Sequence, residues 1–200
     1  MIPKVSVVVP NYNYAQHLVH AVDSVLRQSM SNLELIVVDN FSTDGSDAVV
    51  RQLRDRRVSF HNLSNNGVIA RSRNFGLKLA RGEFVAFLDS DDLWHSTKLA
   101  KQLRLMNEET FASFHDLKAI SRGIPRKIGG FSLGRQPLQQ MLISGNPIPL
   151  SSVICRSAEL RDLGGFPEDE ELVGVEDFAL WLKAADNGLR FRYLSKTLGY

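Results

Sequence analysis

Apolar and polar positions alternate along the first half of the chain in short blocks of two periods. Val5-Ser6-Val7-Val8-Val9 is a β-branched run stopped by Pro10, which predicts a buried strand. Leu18, Ala21, Val22, Val25 and Leu26 share one helical face, with Asn13 placed to cap it. Leu33 to Val38 is a second apolar strand, ending in Asp39-Asn40-Phe41-Ser42-Thr43-Asp44-Gly45, a loop dense in turn residues. Asp44 or Ser46 caps a helix carrying Val49, Val50 and Leu53, and Val58 to His61 is a short third strand. A helix through Ala70, Leu77 and Ala80 closes at Gly82, and Glu83 to Leu88 forms a strand ending in Asp89-Ser90-Asp91-Asp92. Four strand–helix alternations argue for a parallel sheet covered on both faces. Its polar clusters then fall at the carboxyl ends of strands, where open α/β sheets bind ligands.

The second half is less regular. Ser96 opens a helix with Leu99, Leu103 and Met106, and Phe111 to Leu117 and Ser151 to Cys155 read as strands. Phe178, Trp181, Leu182 and Ala185 mark a last helix, and Phe191 to Leu194 a closing strand. Arg122 to Arg135, with four glycines and a proline, reads as a long loop. Gln136 to Cys155 is uncharged, but three prolines and a glycine make it a poor membrane span. No internal repeat or linker is visible, and the N-terminus shows no secretory signal.

Composition narrows the functional classes. Two hundred residues, 44% hydrophobic and 23% charged, suffice for a sizeable core. A net charge of +2 is too balanced for a protein devoted to gripping nucleic acid. The lone Cys155 forms no internal disulfide and no thiolate zinc site; it reads as a core residue, and a reducing compartment is expected. The balance conceals an asymmetry. Leu117 to Ala158 holds no acidic residue but Lys118, Arg122, Arg126, Lys127, Arg135 and Arg156, and the stretch after it is strongly acidic. This is read either as a solvated basic loop beside an acidic turn, or as a surface for an anionic acceptor or membrane.

The candidate chemistry lies in the polar clusters. Asp89, Asp91 and Asp92 repel one another at a strand end unless a cation sits among them, and Mg²⁺ or Mn²⁺ takes such oxygens together with a substrate phosphate. The alternative is an Asp-rich turn before the next helix. Asp39 can accept hydrogen bonds from a ligand ring N–H or ribose hydroxyl. Arg71 and Arg73, near a helix start, can bind phosphate or lie on the surface. Glu176 and Asp177 precede an apolar helix whose dipole favours their ionised form, so one of them can serve as general base. The five histidines show no metal-site spacing. Gly-x-Gly-x-x-Gly, the P-loop and Gly-x-Ser-x-Gly are all missing, against a dinucleotide dehydrogenase, a P-loop NTPase and an α/β-hydrolase.

Taken in order, these blocks resemble one family, the inverting glycosyltransferases of family 2 with the GT-A fold. The resemblance is carried by Val5 to Asn13, Ser24 to Ser29, Leu33 to Asp39, Ser42 to Ser46, Asn66-Gly67 with Arg73-Asn74-x-Gly76, Gly82 to Trp94, Gly164-Gly165-Phe166 and Glu176-Asp177-x-x-Leu180-Trp181. It implies a Rossmann-like, mostly parallel sheet with helices on both faces. It implies one catalytic domain, with a nucleotide-sugar half over 1–110 and an acceptor half over 111–200. Pro10, Asn11 and Asn13 would line the nucleotide pocket, Asp39 would read the base, usually uracil, and Arg73 and Ser90 would contact the donor. Asp89 would lie near ribose and metal, and Asp91 would hold Mn²⁺ or Mg²⁺ against the pyrophosphate. Asp177 would be the base that deprotonates the acceptor hydroxyl, supported by Glu176. The implied partners are a UDP-sugar and a glycan or lipid-linked glycan, with no nucleic acid, at a cytoplasmic location in peripheral contact with an anionic membrane.

Three departures stand out. Members often carry a second Asp and a Gly where this chain has Asn40-Phe41. They typically continue past Tyr200, so a truncated catalytic core, or a short member lacking that part, is expected. A Gln-x-x-Arg-Trp signature is missing, which disfavours a processive synthase. A haloacid-dehalogenase-type phosphatase shares Asp-x-Asp after a strand but leaves Asp39 and Asp177 unexplained. A nucleotidylyltransferase would need a Gly-rich loop after the first strand. A non-catalytic nucleotide-sugar-binding module is the remaining alternative.

Overall fold

The computed structural model describes residues 2–121 and 124–200; Arg122 of the basic segment lies outside them. The parallel core is β1 (Val5–Asn11), β2 (Leu33–Asp39), β3 (Val58–Asn62) and β4 (Phe84–Phe87), in the order β3-β2-β1-β4. Beyond β4 come β7 (Ile154–Arg156), β5 (Thr110–Ser121) and β6 (Ile124–Ile128), and β8 (Arg190–Gly199) pairs with β5. β6 and β7 run against their neighbours and every other pairing is parallel, so the sheet is mostly parallel.

The helices are α1 (Ala15–Leu26), α2 (Ser46–Gln52), α3 (Ile69–Leu79), α4 (Lys98–Leu103), α5 (Pro137–Ser144), α6 (Ser157–Asp162) and α7 (Glu176–Asp186). Two apolar cores form because successive strand side chains point to opposite faces. Val5, Val7 and Val9 of β1 join Leu35, Val37, Phe84 and Ala86 under α1, α2 and α4. Val8, Ile36, Val38, Val85 and Phe87 face the other way, against α3, α5, α6 and α7. The near-continuous apolar runs are therefore strands buried on both sides, as expected.

Several boundaries differ from expectation, each for a local reason. β1 continues through Pro10, which pairs with Val38. Its pairing with β4 ends at Val8, so the missing proline N–H falls where one flank of β1 is already free. Asn13 does not cap α1. It sits at φ 54° with its Oδ1 accepting the Thr43 N–H at 2.8 Å, and Asp44 Oδ2 accepts the Ala15 N–H instead. Asp44 Oδ1 also accepts the Ser46 N–H, so one carboxylate serves two helix starts. Gly82 closes no helix. α3 ends at Leu79, and a Cβ on Gly82 would stand 2.6 Å from the Ser6 backbone nitrogen.

The expected long loop after Arg122 contains β6, which returns along β5 as an antiparallel hairpin. Ser151–Cys155 is a 3-10 turn (Leu150–Ser152) followed by β7. The helix expected at Ser96 begins at Lys98, whose side chain is wholly buried; its Nζ lies 3.6 Å from the centre of the Trp94 ring and donates to the Val153 carbonyl. α5 and α6 were not expected, because α5 buries only Met141 fully and α6 is six residues long.

α3 lies close enough to β1 that a Cβ on Gly76 would stand 2.3 Å from Val8 Cγ1. Gly76→Ala should therefore cost about 1–3 kcal/mol by overpacking. Adding Val8→Ala should cost less in that background than in wild type. Additive losses in chemical denaturation would show that the contact does not limit packing.

Candidate active site

The chain switches direction across β1: β2 and β3 lie on one side and β4 on the other. A cleft opens at the carboxyl ends of these strands, the position at which α/β sheets bind ligands. Its cavity of about 380 Å³ is lined by Pro10, Asn11, Asn40, Asp89, Ser90 and Asp91, with Tyr12, Tyr14, Asn65, Gly67 and Ile69 around them. A larger cavity of about 820 Å³ lies elsewhere, between α5 and α7, and holds no carboxylate. The chemistry belongs to the smaller one.

Asp39 does not line the cleft. It is 2% exposed, and its Oδ1 accepts from Asn11 Nδ2 at 2.7 Å and Ser42 Oγ at 2.6 Å, while its Oδ2 accepts the Ser42 N–H. Asp39, the residue expected to read the base, holds the loop after β2 beneath the cleft. Asn40 takes the exposed place: its Oδ1 accepts the Asn65 N–H at 3.0 Å and its side chain lines the cavity wall. Phe41 follows at φ 54°, a conformation glycine adopts freely, which accounts for the glycine common at this position of the family. Asn11 Oδ1 is buried at the cleft without a donor. Asn13 lies outside, in the loop before α1, bound to Thr43 and Ser42.

Asp89, Ser90, Asp91 and Asp92 form the turn after β4. The Asp89 N–H donates to Ser151 Oγ at 3.0 Å, and the Trp94 Nε1–H donates to the Ser151 carbonyl at 2.7 Å. The 3-10 turn at Leu150 thus fixes this turn from the acceptor half. Nothing in the sequence around Ser151 signalled that contact. Asp91 is exposed. Burial pushes the Asp92 carboxyl up to about 6, and the charges of Asp89 and Asp91 add to the rise. That uncompensated negative charge suits a divalent ion. Among the described residues no three carboxylate, imidazole or thiolate groups are gathered for a metal, which leaves Asp91 and the free oxygen of Asp89 as donors. Mg²⁺ and Mn²⁺ sites commonly take one or two carboxylates and complete their shell with substrate phosphate and water.

Arg73 is 4% exposed, and its guanidinium is already engaged by carboxylates. Nη2 donates to Asp89 Oδ1 at 3.0 Å, Nη1 donates to Glu176 Oε1, and the group lies 5.7 Å from the centre of the Phe166 ring. Arg73, expected to contact the donor, joins the strand-end turn to the start of α7. The next residue, Asn74, grips the Phe166 peptide from both sides, accepting its N–H at 2.9 Å and donating to its carbonyl at 2.8 Å. Gly165 sits at φ 75°, and a Cβ there would stand 2.4 Å from Asn74 Oδ1, so the Gly164-Gly165-Phe166 turn requires its glycine.

Glu176 and Asp177 open α7 outside the cleft lining and connect to it through Arg73. Glu176 Oε2 accepts the Gly174 N–H at 2.6 Å. Asp177 Oδ1 accepts the Phe178 N–H and Oδ2 accepts from Asn146 Nδ2 at 3.2 Å. The helix dipole was expected to hold Asp177 in its ionised form, but burial raises its pKa, with the Glu176 charge adding to the rise. Two further buried groups, His115 and Cys155, do not line the cleft. His115 is buried, its imidazole pushed down to about 3 by desolvation, and burial pushes the Cys155 thiol up.

The mostly parallel sheet with helices on both faces is the GT-A fold of glycosyltransferases. The sequence pattern of the family described as Glycosyl transferase family 2 matches residues 6–137, and the chain belongs to that family. It is 30% identical over 191 residues to the Escherichia coli UDP-Glc:alpha-D-GlcNAc-diphosphoundecaprenol beta-1,3-glucosyltransferase WfaP, covering 94% of this chain and 72% of that protein. It is 44% identical over 112 residues to the putative teichuronic acid biosynthesis glycosyltransferase TuaG of Bacillus subtilis, covering 55% of this chain and 44% of that protein. Staphylococcus aureus TarS 1-349 in complex with UDP superposes with a TM-score of 0.81 at 30% identity, over 98% of this chain and 60% of that one. The mannosyltransferase PcManGT from Pyrobaculum calidifontis, in complex with GDP-Man and Mn²⁺, superposes at 0.74 and 25% identity, over 98% and 56%. The chain thus spans well under two thirds of several of these relatives, and only 30% of an uncharacterized glycosyltransferase of Rickettsia felis.

The raised Asp92 pKa has a signed consequence for stability. Between the ordinary Asp range and about 6 the folded state holds a proton that the unfolded state has released, so this group's contribution falls as pH rises through that window. Asp92→Asn should therefore melt higher than wild type at pH 8 in chelator, and the gap should close toward pH 4. A gap that is independent of pH would show that the Asp92 charge is not the cause.

Proposed function

We propose that the chain is a metal-dependent inverting glycosyltransferase. It moves a sugar from a nucleoside-diphosphate donor, a UDP-sugar, to a hydroxyl of a glycan or lipid-linked glycan in cell-surface polysaccharide synthesis. Residues 1–200 act as one catalytic domain, with the donor half over 1–110 and the acceptor half over 111–200. The observation that carries this reading is the aspartate turn at the switch-point cleft, joined by Arg73 to Glu176, beside which stands Asp177, a carboxylate whose pKa burial raises. Further support comes from relatives whose names specify UDP-glucose and a diphosphoundecaprenol-linked acceptor, and from neighbours holding UDP, or GDP-Man with Mn²⁺.

Asp91 and the free oxygen of Asp89 would hold Mn²⁺ or Mg²⁺, which when bound offsets the negative charge developing on the departing nucleoside diphosphate. Pro10, Asn11 and Ser90 line the donor pocket, with the unpaired Asn11 Oδ1 available to a ligand donor. Asp39 reads the base, with Asn40 and Tyr12 in the adjoining cavity wall. Asp177 takes the proton from the acceptor hydroxyl as its oxygen bonds to the anomeric carbon. The bond from that carbon to the donor phosphate oxygen breaks on the opposite face. A single displacement without a covalent nucleophile inverts configuration. Glu176 positions Arg73, and its charge keeps Asp177 basic.

Among the described residues no helix is long and apolar enough to cross a membrane. We place the chain at the cytoplasmic face, in peripheral contact with anionic lipid through exposed Lys118 and Arg126.

Calorimetric titration with UDP and Mn²⁺ should give binding that chelator and Asp91→Ala abolish. Failure of a folded wild type to bind any of UDP, GDP, dTDP or CDP overturns the reading. Asp177→Asn should keep UDP binding and lower transfer by about 10²–10⁴-fold. Transfer by wild type should decline on acidification through a pKa above the ordinary Asp range, because Asp177 must be ionised to accept the proton. Neutralising Lys118 and Arg126 should weaken sedimentation with anionic vesicles, and unchanged sedimentation would remove the membrane contact.

A further inference from the structure

The cavity of about 820 Å³ between the start of α5 and the end of α7 has no part in the donor chemistry. Three arginines, Arg135, Arg190 and Arg192, line it, and no acidic residue does. Arg190 is paired with Glu109, whereas Arg135 and Arg192 are exposed and have no ion-pair partner among the described residues. The nearest acid in sequence, Asp186, is not among the lining residues. Leu133, Leu138 and the buried Phe191 supply apolar wall. Guanidinium groups over such a wall match a sugar chain bearing oxyanions, because the planar fork pairs with carboxylate or phosphate while ring C–H faces cover the apolar surface.

Two packed helices connect this cavity to the proposed base. α7 begins at Glu176 and Asp177 and delivers Ala185 to the cavity wall. α5 begins with Pro137 and Leu138 at the wall, and just past its far end Asn146 bonds to Asp177. At 1.5 Å per residue these helices separate the two places by about 12–16 Å, a span of a few sugar units. Remote parts of an acceptor must be gripped somewhere if its hydroxyl is to be held for attack. A concave site suits a chain segment better than a flat bilayer.

We propose that this cavity binds the acceptor beyond its reacting sugar, and that the acceptor is an anionic glycan carrying carboxylate or phosphate groups. The inference rests on the transferase reading above and names its acceptor class. The test is calorimetry with three soluble oligomers: oligogalacturonate for carboxylate, a glycerol-phosphate oligomer for phosphate, and maltohexaose as the neutral control. Wild type should bind one or both anionic oligomers in preference to maltohexaose, and more weakly as salt rises. Arg135→Gln with Arg192→Gln should reduce that affinity by about tenfold or more with the melting temperature unchanged, and Arg135→Lys with Arg192→Lys should restore part of it. Equal binding of neutral and anionic oligomers overturns the proposal, as does undiminished binding by the Gln variant. Arginine-dependent binding to phosphatidylglycerol vesicles with none to either anionic oligomer assigns the patch to lipid and also overturns it. UDP titration of the same wild-type sample reports separately on the donor reading, so the two can fail independently.

Discussion

A buried guanidinium paired with carboxylates has to be held, because leaving it or the buried Glu176 unpaired away from water costs several kcal/mol. Arg73 is in that position. Asp89 comes from the end of β4, Glu176 from the start of α7, and Arg73 itself from α3, so one side chain sets the spacing of three elements. The donor turn and the acceptor-side carboxylate pair therefore cannot drift apart without exposing a charge to an apolar surrounding. Asn74 reinforces the same join by occupying both hydrogen-bonding groups of the Phe166 peptide, and Phe166 in turn packs edge-on against Phe87 at 4.9 Å between ring centres. A rigid join of this kind preorganises the site before ligand arrives.

The carboxylates divide by environment. Asp39 is buried and hydrogen-bonded to Asn11 and Ser42, whereas Asp91 is open to solvent. Asp92 and Asp177 are pushed upward by burial, and in each case a neighbouring negative charge adds to the rise. On the proposed reading the rise at Asp92 suits a cation, and the rise at Asp177 suits removal of a hydroxyl proton.

The two halves of the chain were unequally legible. Residues 1–110 form a repeating strand–helix unit in which apolar period reports element type directly, and its misread details, Pro10, Asn13 and Gly82, are boundary effects decided by neighbouring strands and loops. Residues 111–200 are built from a hairpin, short helices and antiparallel insertions whose apolar positions are few. β6 was hidden because glycines and charges in an exposed hairpin look like a loop, and α5 because only Met141 of its residues is fully buried.

What the sequence determined by itself was the parallel sheet, its two covered faces, the family, and the positions of the polar clusters at strand ends, because local period and turn chemistry act over a few residues. What tertiary structure alone decided was the use of each polar group. Asp39 and Asn40 are adjacent, but register places one under the cleft and the other in its wall. Arg73 stands 103 residues from Glu176 along the chain and in hydrogen-bond contact in space. Pairing at that separation depends on how α3 and α7 pack against one sheet, which no local pattern encodes.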